Sequence, residues 1–364
     1  MSQPLVLIMA GGTGGHVYPA LAVAKALEES GARVVWIGTR LGLEAKVVAE
    51  VGIPMHSLTV SGLRGKGLLA WLLAPIHLLL ALLQALRIVA SEKPDLVLGM
   101  GGFATGPGGV AAWLLRRPLV IHEQNAVAGL TNRWLSRLAT QVLEAFPNSF
   151  ASLRSSVVTG NPVRRDILAI AVPEKRLADR DGPARLLVLG GSQGALSLNQ
   201  IVPAAVGQLV KEQCPLVRHQ TGAGTFDKAK AAYAEHGVAA ELNEFIEDMA
   251  GAYAWADLVI ARAGALTVAE LAAAGLGAVL VPYPSAVDDH QTLNAKYLAG
   301  ANAAVLLPES DLTPERLARE LKRLLTRRSD LLGMATRARA LARPAATRDI
   351  SNICLRLAGA EAAP

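Results

Sequence analysis

Short, uninterrupted apolar runs alternate with longer half-apolar stretches along most of the chain. Residues 5–10 read LVLIMA, the pattern of a strand buried on both faces of a parallel sheet. The run enters Gly11-Gly12-Thr13-Gly14-Gly15-His16. A helix is predicted from about residue 19 to residue 30, with Gly31 as its stop. RVVWI (33–37), DLVL (95–98) and PLVIH (118–122) predict further strands, and DLVL enters a second glycine loop, Gly99-Met100-Gly101-Gly102-Phe103. Near residues 160–164 (GNPVR) the pattern restarts. RLLVL at 185–189 is a new first strand, Gly190-Gly191-Ser192-Gln193-Gly194 a new glycine loop, and strands follow near 216–219, 257–260 and 278–281. Residues 173–184 are polar and turn-rich and predict a surface connection. Arginine-rich amphipathic helices are predicted at about 314–328 and 345–358. The alternation predicts the α/β class, as two Rossmann-like domains with parallel sheets facing across a cleft. The boundaries fall at 1–162 and 163–340, with a terminal helical segment at 341–364.

One run departs from this pattern. Residues 68–83, LLAWLLAPIHLLLALL, are interrupted only by Pro75 and His77. A membrane span needs about 20 apolar residues, and this run falls short. An ordinary core helix would be more amphipathic. The preferred reading is a surface patch dipping into one leaflet, with Arg64, Lys66, Arg116 and Arg117 on the lipid phosphates. A core helix is the competing reading.

The 364 residues are 52% hydrophobic and 18% charged, which excludes wholesale disorder and a small disulfide scaffold. The net charge is +6, and it is uneven: residues 1–160 hold 13 basic and 8 acidic side chains, residues 161–364 hold 23 and 22. Aromatics are few (4%) and no basic tract occurs. The excess therefore points to phosphates or an anionic membrane rather than nucleic acid. Cys214 and Cys354 lack metal-ligand spacing and read as buried free thiols in a reducing cytoplasm. The opening MSQPLVLIMAGG has no basic n-region and reads as a first strand, not a signal peptide.

Glycine loops between a buried strand and a helix place backbone N–H groups where a phosphate can sit. The dinucleotide fingerprint fails, because Val17 and Ser192 occupy glycine positions and no acidic residue ends the second strands. A nicotinamide or flavin cofactor is therefore not expected. Gly65-Lys66 is no Walker A motif, because Gly67 replaces its Ser/Thr. The most informative stretch is Ala263-Gly264-Ala265-Leu266-Thr267-Val268-Ala269-Glu270. Its small residues leave a helix N-terminus open to a diphosphate, and Glu270 can accept two hydrogen bonds from a ribose diol.

GGTGGHVYPALAVA, SGLRGKG, GMGGFATGPGG, HEQNAVAGLTNRWL, GNPVR, GGSQGALSLN, EFIEDMAGAYAWADLVIARAGALTVAEL and DDHQTLNA occur in that order. As a set they resemble the MurG family of bacterial cell-wall glycosyltransferases, which convert lipid I to lipid II. The resemblance runs from about residue 5 past residue 302 and implies a GT-B fold whose last helix crosses back to the first domain. It implies a first domain for acceptor and membrane, a second for the UDP-sugar, and no metal. On the metal, Asp288-Asp289 are adjacent and not spaced for a cation.

The resemblance also distributes roles. Ile246 offers backbone groups to uracil and Glu270 holds the ribose. Ser192 and the helix start at Ala265, Leu266, Thr267, Val268 and Ala269 hold the diphosphate. Arg164 adds positive charge at the hinge. Gln291, with His290, meets the sugar hydroxyls. Thr13, Gly14, Gly15 and Asn125 approach the sugar from the first domain, and lipid diphosphate sits near the first two glycine loops. Trp71, Leu72, Ile76, Leu79 and Trp113 rest in the inner leaflet. Leu69 and His77 stand where cations would suit anionic lipid.

An inverting transfer needs a base for the acceptor C4 hydroxyl and stabilisation of departing UDP. His16, placed at the loop tip, is the first choice of base and Glu123 the second; a loop-ordering or diphosphate-contacting role competes for His16, and a structural hydrogen bond for Glu123. The expected partners are UDP-N-acetylglucosamine, lipid I, the anionic membrane surface, and cell-wall and division proteins. The expected location is the cytoplasmic face of the inner membrane. Two other readings are a UDP-N-acetylglucosamine 2-epimerase-like enzyme and a non-catalytic nucleotide-sugar-binding scaffold.

Overall fold

A computed structural model describes residues 3–59, 68–150, 155–178, 180–191, 193–210, 214–284 and 289–360, with the backbone alone at 68–72. Of the residues given roles above, Arg64, Lys66, Ser192 and Asp288, and the side chains of Leu69, Trp71 and Leu72, lie outside what is described. The chain divides into two compact units, Met1–Pro162 with Pro344–Pro364, and Val163–Arg343.

Unit 1 holds strands β1 (Leu5–Met9), β2 (Arg33–Thr39), β3 (Met55–Leu58), β4 (Leu96–Gly99), β5 (Leu119–Glu123), β6 (Gln141–Glu144) and β7 (Val157–Val158). Its helices are α1 (Gly14–Glu29), α2 (Leu43–Glu50), α3 (Leu68–Glu92), α4 (Thr105–Leu114) and α5 (Leu130–Leu135). The strands form one sheet in the order β3-β2-β1-β4-β5-β6-β7. Each pair is parallel. Alternate residues of β1 feed opposite faces, as strand geometry requires. Val6 and Ile8 join one core, Leu5, Leu7 and Met9 the other. Both faces are covered, which is why the run carries no polar residue.

Unit 2 holds helices α6 (Arg165–Leu168), α7 (Pro173–Leu177), α8 (Leu196–Val206), α9 (Phe226–Glu235), α10 (Met249–Trp255), α11 (Ala265–Ala274), α12 (His290–Ala299), α13 (Pro314–Leu325) and α14 (Arg328–Ala340). The final helix, α15 (Ala346–Leu357), returns to unit 1. There Ile350, Cys354 and Leu355 enter the core beside α1. Unit 2 strands β8 (Arg185–Leu189), β9 (Leu216–Gln220), β10 (Ala240–Asn243), β11 (Leu258–Ala261), β12 (Gly277–Leu280) and β13 (Ala304–Leu306) form a parallel sheet ordered β10-β9-β8-β11-β12-β13. Both sheets therefore follow the doubly wound order, in which ligands bind beyond the carboxyl ends of the strands.

Three expectations change. Helix α1 starts at Gly14 rather than near Pro19, so His16 sits in its first turn and not at a loop tip. Cys214 is free but only half-buried, whereas Cys354 is buried. Residues 173–184 are no simple surface connection. Arg176 reaches inward and donates to the carbonyls of Tyr253, Ala256, Ala274 and Gly275, and Arg180 to those of Ala254, Trp255 and Ala256. Helices α10 and α11 end there, and the cations meet their unpaired carbonyls. Arg180 also pairs with Asp257, which is 1% exposed and so has its charge matched.

Candidate active site

In unit 1 the first glycine loop ends at Thr13, the extended N-cap of α1. Its carbonyl accepts from the His16 and Val17 N–H groups at 3.0 and 3.1 Å. Beneath the loop lies the fully buried Glu44 carboxylate. It accepts from Gly12 N–H (3.0 Å), Thr39 N–H (2.9 Å) and Thr39 Oγ1 (2.7 Å). Burial works against its ionisation, but these bonds outweigh burial and hold the carboxyl below its usual range. The Gly12 N–H is thus committed inward and is not offered to a phosphate. Thr13, Gly14 and Gly15 stand at the positive end of the α1 dipole.

The second glycine loop closes against the first. Gly101 and Gly102 have φ of +94° and +90°. A Cβ on Gly101 would stand 2.5 Å from His16 Nδ1, and one on Gly102 would stand 2.4 Å from the Gly11 carbonyl oxygen. Only glycine permits both this backbone and this approach. These glycines make room for His16 and for the first loop.

Glu123 has both carboxylate oxygens engaged in local hydrogen bonds. It is 3% exposed. One oxygen accepts from Asn125 N–H and Nδ2 (3.0 and 3.1 Å), the other from Gly129 N–H and Asn132 Nδ2 (3.1 and 2.9 Å). The carboxylate orders the turn that carries Asn125. His16 is partly exposed, and its Nδ1 lies 3.0 Å from Gln124 Oε1.

In unit 2, Gly264 is the extended N-cap of α11, and no side chain caps that end. Arg262 braces the turn from below through the Val281 and Pro282 carbonyls, Ser197 Oγ and Glu309. Leu266, Thr267 and Ala269 stay partly exposed, whereas Ala265 and Val268 are buried. Val268 therefore offers only backbone to a ligand. Glu270 lies one and a half turns in and accepts from Tyr253 OH at 2.9 Å. Burial lifts its carboxyl to about 7; the Tyr253 bond and the Arg164 charge oppose the rise, and Asp166 adds to it. Arg164, whose charge Glu270 feels, is the N-cap of α6. Ile246 N–H donates to Gln220 Oε1 at 3.0 Å, so its carbonyl is the group left for a base edge. Gln291 Oε1 accepts from Tyr283 N–H at 2.9 Å, which leaves its NH2 for a sugar. His290 starts α12.

Helix α3 is apolar on two faces. Ala81, Ala85 and Val89 enter the sheet core, while Ile76 and Leu79 (each 56% exposed), Leu80 and Leu83 form a stripe outside. Leu73–Glu92 is long and apolar enough to cross a membrane. Its inner stripe is committed to the sheet. Trp113 on α4, which packs beside α3, is also exposed. Leu130 and Trp134 on α5, missed in the sequence, are each 62% exposed, and Arg137 stacks 4.7 Å over the Trp134 ring.

Unit 2 thus sets an uncapped, braced helix N-terminus and a buried carboxylate on a doubly wound sheet, a setting in which nucleotide ligands bind beyond the strand ends. Residues 6–144 match the glycosyltransferase family 28 N-terminal domain, and residues 185–350 match the C-terminal domain of the same family. The chain belongs to glycosyltransferase family 28. It is similar to the UDP-N-acetylglucosamine–N-acetylmuramyl-(pentapeptide) pyrophosphoryl-undecaprenol N-acetylglucosamine transferases of two bacteria. It is 58% identical to that of Alkalilimnicola ehrlichii over 98% of this chain and 99% of the relative. It is 55% identical to that of Marinobacter nauticus over 97% of each. The crystal structure of Acinetobacter baumannii MurG aligns with a TM-score of 0.86 at 43% identity, covering 97% of this chain and 99% of that one.

Proposed function

We propose that this chain is the inverting transferase that moves N-acetylglucosamine from UDP-N-acetylglucosamine to the muramyl C4 hydroxyl of lipid I, forming lipid II for peptidoglycan. The observation that carries the reading is the Tyr253–Glu270 pair beside the open start of α11, in a chain more than half identical to named transferases. Unit 2 takes the donor: Glu270 the ribose diol, the α11 N–H groups and Arg164 the diphosphate, the Ile246 carbonyl the uracil, Gln291 the sugar. Unit 1 takes the acceptor on Thr13, Gly14, Gly15 and Asn125.

His16 Nε2 removes the C4 hydroxyl proton as the oxygen attacks the donor's anomeric carbon. The bond from that carbon to the β-phosphate oxygen breaks, and its electron pair leaves with UDP. The new bond forms on the opposite face, which inverts the centre. The helix dipole and Arg164 stabilise charge gathering on UDP without moving. The exposed apolar stripe of α3, with Trp113, Leu130 and Trp134, rests in the cytoplasmic leaflet of the inner membrane, and Arg116, Arg117 and Arg137 face its phosphates.

The test is UDP release from UDP-N-acetylglucosamine, with and without a short-chain lipid I analogue, under chelation throughout. Acceptor-dependent release is expected. Release without acceptor, or donor binding with no release, would overturn the transferase reading.

A further inference from the structure

His16, Gln124 and His122 form one hydrogen-bonded chain within unit 1, and it is anchored on two carbonyls. His122 Nε2 lies 3.0 Å from the Gly160 carbonyl oxygen, and Gln124 Nε2 lies 3.0 Å from the Met100 carbonyl oxygen. A carbonyl oxygen only accepts. His122 therefore carries its proton on Nε2, and the Gln124 amide turns its NH2 towards Met100. His122 is fully buried, and burial pushes it down to about 4 against the Gly160 bond, so at neutral pH it has one ring proton. Its Nδ1 is then an acceptor, and it lies 3.1 Å from the same Gln124 NH2.

The amide cannot flip, because its oxygen would then face the Met100 oxygen and the His122 lone pair together. Gln124 Oε1 is thus aimed at His16 Nδ1, 3.0 Å away, and it can only accept. Gln124 is itself 1% exposed, so no water competes for that oxygen. Gly101, with no room for a Cβ beside His16 Nδ1, keeps the ring against the amide.

We infer that Gln124, locked by Met100 and His122, is a positioning residue that fixes neutral His16 as the Nδ1–H tautomer and leaves its Nε2 lone pair for the acceptor proton. The same Nδ1–H···Oε1 bond persists when Nε2 takes that proton, so the network need not rearrange during transfer. The inference rests on the base role proposed above, but its test is separable from that role.

The test reads the histidine ring nitrogens of the uniformly 15N-labelled full chain by two-bond 15N–1H correlation, with His16 assigned by its loss in His16→Gln. No Gln124 variant has to fold for this measurement. Neutral His16 is expected with a protonated Nδ1 and an unprotonated Nε2. A protonated Nε2, or averaged nitrogens, would overturn the inference. Gln124→Met, similar in shape but without a comparable acceptor, is expected to average the His16 nitrogens. It should lower kcat about 10- to 100-fold, a part of the roughly 100- to 10,000-fold that a positioned proton acceptor supplies, with UDP affinity unchanged. An unchanged kcat beside averaged nitrogens would also overturn it. If wild-type His16 is Nδ1–H while His16→Gln keeps full turnover, the tautomer lock stands and the base role falls.

Discussion

Deleting one oxygen, by Tyr253→Phe, tests the electrostatics of the proposed ribose site. Glu270 sits at about 7 because burial outweighs the Tyr253 bond and the Arg164 charge, with Asp166 adding to the rise. The Tyr253 phenol is itself raised well above its usual value by burial and by Glu270, so it stays a donor. A ribose diol donates to a carboxylate, so the donor selects ionised Glu270, and affinity falls as pH drops below about 7. A hydrogen bond to a charged group is worth about 1.5–3 kcal/mol, and a pKa unit is about 1.4 kcal/mol. Losing the phenol should therefore lift Glu270 by about one to two units. At pH 7 the ionised fraction then falls from about one half to between about one tenth and one hundredth, and UDP binds about 5- to 50-fold more weakly. Titration calorimetry of UDP from pH 6 to 9 reads this directly. The variant's affinity curve should have its midpoint above the wild type's, and the two should converge as pH rises. An equal loss at every pH would refute the reasoning, since it would mean the phenol acts through shape. The shift also has a sign for stability. The folded carboxyl keeps its proton above the unfolded value of 4.5, so stability falls as pH rises from there towards 7, and Glu270→Gln should flatten that slope.

Ile76→Asp with Leu79→Asp should leave turnover of a short-chain soluble acceptor unchanged and cut binding to anionic vesicles by about 30-fold or more. Each side chain, half exposed, supplies about 1 kcal/mol on insertion. If turnover and vesicle binding fall together, the stripe is structural. Glu44→Gln should cost about 1–3 kcal/mol at pH 7 in denaturant titrations of the intact chain. Since folding depresses the Glu44 carboxyl, that deficit belongs to pH above the unfolded pKa and should close as pH falls through the folded one; a deficit constant with pH would contradict the assignment. Arg176→Ala should destabilise unit 2 by about 3 kcal/mol, because buried carbonyls at the ends of α10 and α11 lose their donor. Those helices carry Tyr253 and Glu270, so the rise in Tm produced by UDP should also shrink, and an unchanged rise would separate the brace from the site.

What the sequence made legible, and what it hid, follows from the range of each interaction. The β1 run is readable because burial on both faces is a local demand on every residue. Helix α1 begins five residues before Pro19 because tertiary contacts, Gly101 against His16 among them, hold Gly14 and Gly15 in a conformation their propensity opposes. Arg176 and Arg180 look like surface charge in a polar stretch; the carbonyls they meet lie 74 to 99 positions away in the chain. The two candidate bases show the same limit. In His122-Glu123-Gln124-Asn125 the carboxylate attracts attention, since it alone has an obvious claim to a proton. Yet side chains at the end of β5 alternate between faces. His122 and Gln124 share one face and reach His16, while Glu123 turns to the other and is consumed by the Asn125–Asn132 turn. That period of two was present in the sequence. With it, the neutral amide, not the acid, becomes the natural neighbour of His16.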